Sequence, residues 1–329
     1  MNVLLLSHAA EPFCTERVAG ALSTRGATPL RMNTDEFPSA LALSGELDPS
    51  GPARLVFEGE ALEVAAVWLW RIWPPRIDER LTGAQREAAR RESLTTLAGL
   101  LDLLADVPWI DPIDADRCAE NKTRQLRMAA ALGLTIPPTL ITAEPELARR
   151  FFAAHEGRVI AKLQTSLGYS MAGGEGLPTR MLRPDDLDAL AGLRHCPMVF
   201  QRYVEKAQEL RIAWVDGRAF VGALAGEQCG VDWRYESTAS WQPHELPPIV
   251  HERLARLMGR LGLQQGAIDM IVDRSGDHVF LEVNPHGEWG MLERDLELPI
   301  GEAIADALIR RALHSTHSST THESKEIQQ

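Results

Sequence analysis

Asp269, Glu282 and Asn284 are the residues of this chain best spaced to do chemistry. They fall within AIDMIVDRSGDHVFLEVNPHGEWG, Ala267 to Gly290. Two apolar stretches, Ala267–Asp273 and His278–Asn284, flank the turn residues Arg274, Ser275, Gly276 and Asp277, and predict a β-hairpin. Symmetric pairing about that turn sets Asp269 opposite Glu282, and Asn284, two residues further on, shares the same face. Facing carboxylates repel unless something positive lies between them. Three converging oxygen groups suit Mg2+, which keeps waters and substrate phosphates as its other ligands. The simpler reading is a surface hairpin with solvated acids; Val279, Leu281 and Val283 argue against it by predicting a buried opposite face. One bulge would break this register.

Other groups could serve the same site. Lys162 sits within the apolar run Val159–Leu163, where a half-buried ammonium needs an anion such as phosphate, or else snorkels to solvent. The stretch Thr165–Gly176 of the Ser- and Gly-rich loop Gln164–Thr179 could fold over that phosphate with backbone N–H groups. Lys122 opens a helical segment and could reach an anion or lie on the surface. Met198–Val204 runs into EKAQELR, a natural hinge whose backbone could offer a donor and an acceptor to an adenine edge. Glu209 could hold ribose hydroxyls. Arg211, on the same strand face, could clamp a carboxylate or a transferring phosphoryl group, or simply pair with Glu209. Asp232, Trp233 and Arg234 could grip a peptide, activate a nucleophile or form an exposed turn. His286 and Glu288 lie just past the metal ligands, as supporting residues or ordinary loop.

The elements that must position these groups read as follows. The chain has 329 residues, 45% of them hydrophobic, enough for two domains or one elaborated domain. Asn2–Ser7, Glu16–Arg25 and Ala27–Met32 predict a βαβ opening, continued by strands Arg54–Phe57 and Ala65–Trp70 and a helix from about Thr82 to Leu104. Pro108–Pro112 marks a domain boundary. Asp116–Leu132 predicts a helix stopped by Gly133. Glu146–His155 predicts another helix, Glu209–Val215 and Arg218–Leu224 a hairpin, Pro248–Leu261 an amphipathic helix and Pro299–Leu313 the last helix. The polar end, residues 314–329, predicts a disordered tail. A net charge of -12 argues against general affinity for nucleic acid or an anionic membrane. Cys14, Cys118, Cys196 and Cys229 have no CxxC spacing and read as reduced thiols of a cytoplasmic protein. No apolar run is long enough to span a bilayer.

Taken in order, these segments resemble the ATP-grasp superfamily, and more closely the microviridin-type peptide maturases, the graspetide synthetases. NKTRQLRMAAALGLTIPPTLIT, VFQRYVEKAQELRI and IDMIVDRSGDHVFLEVNPHGEW carry the resemblance in the body of the chain. VLLLSHAAEPFCTERVAGALSTRGATPLRMNTDEFP and AVWLWRIWPPR carry it at the N-terminus. It implies an α/β (α+β) ATP-grasp fold with four parts: a pre-ATP-grasp α/β domain over residues 1–112, a central subdomain over 113–204, a C-terminal subdomain with the metal hairpin over 205–313, and the tail.

The resemblance also implies ATP and Mg2+ as cofactors. Lys122 and Lys162 would contact ATP phosphates, Gln201, Arg202, Tyr203 and Val204 would frame the adenine, and Glu209 would hold the ribose. Asp269, Glu282 and Asn284 would bind Mg2+, and Arg211 the reacting carboxyl or acyl phosphate. Asp232 and Arg234 match a segment near the peptide acceptor. Loop Gln164–Thr179 departs from general ATP-grasp enzymes in lacking a compact phosphate-binding glycine motif. The implied activity is phosphorylation of Asp or Glu side chains in a ribosomal precursor peptide, then closure of ester or amide macrocycles by Ser, Thr or Lys. A homodimer is expected, with neither nucleic acid nor membrane as partner. The rivals are an ATP-grasp ligase that adds a free amino acid to a protein or small acid, and a non-catalytic module that binds nucleotide or peptide.

Overall fold

The computed structural model describes residues 1–11, 13–164, 179–233 and 240–326, with side chains as far as Ser315. Strand Asn2–Ser7 is apolar from Val3 to Leu6 because both its faces are covered there. Val3 and Leu5 face a core shared with Val18, Leu22, Trp68 and the C-terminal helix residues Ile304 and Leu308. Leu4 and Leu6 face Met32, Leu97, Leu101 and Trp109 on the other side. The first sheet is fully parallel, in the order Thr28–Asn33, Asn2–Ser7, Ala66–Leu69, Trp109–Ile110. Helices Phe13–Thr24 and Gly83–Asp102 make two of its crossovers. Arg54–Phe57 does not join this sheet as its sequence predicts. It pairs with Leu43–Glu46 and Glu60–Ala61 in a small antiparallel sheet of its own.

Two antiparallel sheets follow. The central one runs Arg180–Met181, Val159–Lys162, Met198–Arg202, Thr139–Thr142 and packs on helix Pro145–Ala154 through Ala148, Phe200 and Val159. The last runs Gln242–Pro243, Arg218–Ala225, Lys206–Val215, Gln265–Asp273, His278–Asn284. Its long strand alternates between two environments. Leu210, Ile212 and Trp214 enter the core under helix Pro248–Leu261. Ala213 and Val215 enter the core shared with the first sheet, and Glu209 and Arg211 continue that second face into a cleft. The helix predicted over Asp116–Leu132 is two helices, Ile113–Ala119 and Lys122–Ala131. The break falls at Asn121, whose side chain caps the second helix by accepting from Arg124 N at 2.9 Å. Past Leu313, where composition predicts a disordered tail, helix Ile300–Glu326 continues. No Gly or Pro in that stretch stops it. Among the described residues no helix is long and apolar enough to cross a membrane.

Asp111 joins the first sheet to the last. It is buried, and its carboxylate accepts from Gln264 N at 2.7 Å and Gln265 N at 3.0 Å, while Gln265 accepts from Trp68 Nε1 at 2.7 Å. Burial raises the Asp111 carboxyl from 3.8 to about 7 against the pull of the two amides. The unfolded carboxyl therefore ionises first as pH rises, and this group lowers stability progressively between those two values. Asp111→Ala leaves the buried Gln265 N–H without an acceptor, at about 1–3 kcal/mol, and the part-buried Gln264 N–H at less. Calorimetry is expected to show a midpoint several degrees lower and a weaker decline in stability between about pH 4 and about pH 7.

Candidate active site

A cleft of about 950 Å3 opens where the central sheet, the last sheet and the carboxyl end of the first sheet meet. Every candidate named from sequence lines it except Arg234, which lies outside the described residues. Residues 165–178, most of the candidate phosphate loop, also lie outside them.

The carboxylate corner is built by the hairpin and helix Lys122–Ala131. Asp269 pairs with Glu282, as the symmetric register predicts, but the route there differs. Val272 pairs with His278 and Met270 with Phe280, so a bulge at Leu281 restores the Asp269–Glu282 match. The bulge also corrects the reading of Leu281: it does not join the buried face with Val279 and Val283, but lines the cleft. Each carboxylate has one oxygen held by a cation. Arg211 Nη1 donates to Asp269 Oδ1 at 2.7 Å, and Lys122 Nζ meets Glu282 Oε2 at 2.7 Å. The other oxygens, Asp269 Oδ2 and Glu282 Oε1, both turn to Asn284 Nδ2, at 3.2 and 3.1 Å. This donor set fits Mg2+: two carboxylate oxygens gather at one point, and rotating the Asn284 amide replaces the NH2 there with its oxygen. Burial opposes ionisation of Glu282, yet Lys162 and Lys122 outweigh it and hold its carboxyl well below the usual range.

Gln125, which sequence reading did not single out, fixes this corner. Its side chain donates to Val283 O at 2.8 Å and accepts from Val283 N at 2.8 Å, clamping the residue between Glu282 and Asn284. The same side chain donates to Ala119 O at 2.6 Å, which holds Lys122 in register with Glu282. A glutamine one helical turn after a lysine is too common a pattern to flag it.

The opposite end is less polar. Ile160, Leu163, Ile271 and Leu281 line it beside Gln201–Val204. Arg202 N and Tyr203 N donate to Pro138 O and Arg158 O, so these two hinge amides are already taken, and Val204 follows them on the cleft wall. Glu209 does not pair with Arg211. The buried Lys206 side chain donates to the Glu209 carboxylate and to Val231 O at 3.3 Å. Burial raises the Glu209 carboxyl to about 7 although Lys206 pulls it down. Lys206 is the second residue missed from sequence. Three positions before Glu209 it belongs on the other strand face, and a bulge at Ala207 brings it round.

Loop 285–288 closes the cleft beyond the carboxylates. Arg211 Nε and Nη2 both donate to Glu288 O, at 3.1 and 2.8 Å. His286 Nε2 lies 2.7 Å from Asp116 Oδ1. Burial, reinforced by Arg71, lowers His286 to about 4, while burial and the neighbouring Glu120 and Asp111 raise Asp116 to about 8. Asp232 is buried on the far wall and accepts from Thr179 N at 3.3 Å. Gly287 permits the crowding: an added Cβ would lie 2.3 Å from Ala267 Cβ, 2.9 Å from Arg211 Nη2 and 3.0 Å from Asn284 O. Gly287→Ala must displace Arg211 and the Asn284 backbone together. Its kcat/KM for ATP is expected to fall by about tenfold or more in steady-state ADP release, with the fold retained.

The chain as a whole is similar to known proteins. A family model described as the MvdD pre-ATP grasp domain matches residues 2–117. The macrocyclase MdnB from Microcystis aeruginosa MRC is 43% identical, covers 94% of this chain and 99% of its own, and superposes with a TM-score of 0.81. The macrocyclase MdnC from the same source, solved with the precursor peptide MdnA, is 32% identical over 94% of this chain and 100% of its own, with a TM-score of 0.85. A RiPP-associated ATP-grasp ligase from Chryseobacterium gregarium, solved with ADP and a leader and core peptide, is 29% identical over 94% and 97%, with a TM-score of 0.83. A search of curated proteins found no match. With two macrocyclases above 30% identity over nearly their whole length, this chain belongs to the microviridin-type branch of the ATP-grasp superfamily and is an ATP-dependent ligase.

Proposed function

We propose that this ligase phosphorylates Asp or Glu side chains of a ribosomal precursor peptide and closes ester or amide rings between side chains. The observation that carries the reading is the carboxylate corner, where Asp269 and Glu282 each spend one oxygen on a cation and turn the other inward beside Asn284. Mg2+ bound there would neutralise phosphate charge and bridge ATP to the protein. Lys122 and Lys162 face the phosphates from the Glu282 side. The hinge through Val204 takes the adenine edge between Ile160 and Leu281, and Glu209 with Lys206 takes the ribose. Arg211 orients the substrate carboxylate, whose oxygen attacks the γ-phosphorus as ADP leaves. The peptide's Ser or Thr hydroxyl, or Lys amine, then attacks the acyl carbon and inorganic phosphate leaves. Asp232, on the wall facing Arg211, takes the proton of the attacking group. The similarity to full-length macrocyclases supports a peptide substrate, and the family resemblance supports a homodimer, which sedimentation of the purified chain tests.

Intact mass spectrometry of the precursor peptide encoded beside this gene, with this protein and ATP, tests the reading. Loss of one water per ring is expected, dependent on ATP and Mg2+. A gain equal to one amino-acid residue selects a free-amino-acid ligase instead, and an unchanged mass with tight peptide binding selects a non-catalytic binder.

A further inference from the structure

Among the cations on the cleft wall, Lys122, Lys206 and Arg211 each meet a carboxylate. Arg71 does not. It follows strand Ala66–Leu69 at the carboxyl end of the parallel sheet, next to strand Asn2–Ser7, where the strand order reverses. Such switch points are where open parallel sheets bind ligands. The Arg71 guanidinium lies 5.8 Å from the Trp70 ring and 5.3 Å from the Trp73 ring, and it lines the cleft. Nη2 donates to His286 O at 2.6 Å, whereas Nε is buried with no partner among the described residues. A half-buried guanidinium whose acceptor is one neutral carbonyl has no counter-charge among the described residues. The planar fork, held by two indoles, is preorganised to take a carboxylate with its remaining N–H groups.

Arg71 and Arg211 also grip the same loop, at His286 O and Glu288 O. Arg211 donates from Nε, Nη1 and Nη2 to the protein beside the carboxylate corner, and among the described residues one N–H on each Nη remains for the reacting carboxylate there. Arg71 stands apart from that corner, and among the described residues it retains both N–H groups of Nη1.

We propose that Arg71 is a specificity residue that binds a side-chain carboxylate of the acidic peptide substrate, so that the N-terminal domain selects which acidic residue enters the site. This rests on the peptide-ligase reading above. The merely structural role would be a latch on loop 285–288.

The test measures affinity of the neighbouring precursor peptide, without nucleotide, for the wild-type chain and Arg71→Gln. Peptides are compared in which each Asp or Glu is singly changed to Asn or Gln. The wild type is expected to lose about tenfold or more at one acidic position, and Arg71→Gln to lose less than about threefold at that same position. Arg71→Lys, which keeps the charge without the fork, should retain part of the discrimination and serves if Arg71→Gln fails to fold. A uniform loss for all peptides, or ratios identical to wild type, overturns the assignment while ring formation by the wild type leaves the ligase reading intact. A wild-type chain that neither binds nor cyclises the peptide overturns both.

Discussion

Glu282→Gln is expected to reduce ADP formation by about a thousandfold or more, about 4 kcal/mol of transition-state stabilisation. The substitution is nearly isosteric, so the hairpin pairing and the Gln125 clamp on Val283 should survive. What changes is charge. Lys122 loses its partner at 2.7 Å, and Lys162 loses the carboxylate it favours electrostatically. One of the two oxygens gathered beside Asn284 becomes part of a neutral amide. The Mg2+ dependence of any residual turnover should shift to higher concentration, and Asp269→Asn should behave alike because it supplies the other gathered oxygen. Steady-state ADP release across an Mg2+ titration decides the matter. Turnover above a tenth of wild type in both variants would remove the metal assignment.

Arg211→Met is expected to lower turnover by about a hundred- to a thousandfold while nucleotide affinity stays within about tenfold of wild type. Arg211 makes one charged hydrogen bond to Asp269 and two bonds to Glu288 O, all from a buried position. Its planar fork reaches both at once, which an ammonium cannot do, so Arg211→Lys should recover little despite keeping the charge. At the proposed adenine end of the cleft, Ile160, Leu163 and the 201–204 hinge belong to another sheet and should be little disturbed. Titration with ADP, set beside single-turnover phosphate transfer, separates the two effects. Equal loss of nucleotide affinity and turnover would mean that Arg211 holds the architecture and not the reacting carboxylate.

Much of this site is legible in the sequence because side-chain direction in a strand follows from position. The period of two places Glu209 and Arg211 on one face and Asp269 opposite Glu282. The unbroken apolar run within Asn2–Ser7 announces a strand covered on both sides, and the positions of Val250, Leu254, Leu257 and Leu261 announce the amphipathic helix. Sequence also determines the chemistry on offer: paired acids, an asparagine, three lysines and three arginines that reach one cleft.

Tertiary structure alone decided the pairings among them. Bulges at Ala207 and Leu281 each insert a residue that the period of two cannot foresee. One brings Lys206 onto Glu209, and the other turns Leu281 into the cleft. Arg211 meets Asp269 rather than Glu209 because the neighbour across the sheet lies nearer than the neighbour two residues along the strand. Arg71 reaches His286, 215 positions away, only because the first sheet packs its carboxyl end against the loop that follows the last one. Local sequence fixes which way a side chain points. Which groups of opposite charge meet depends on chain segments brought together by burial of the cores beneath them, and no spacing within a segment encodes that.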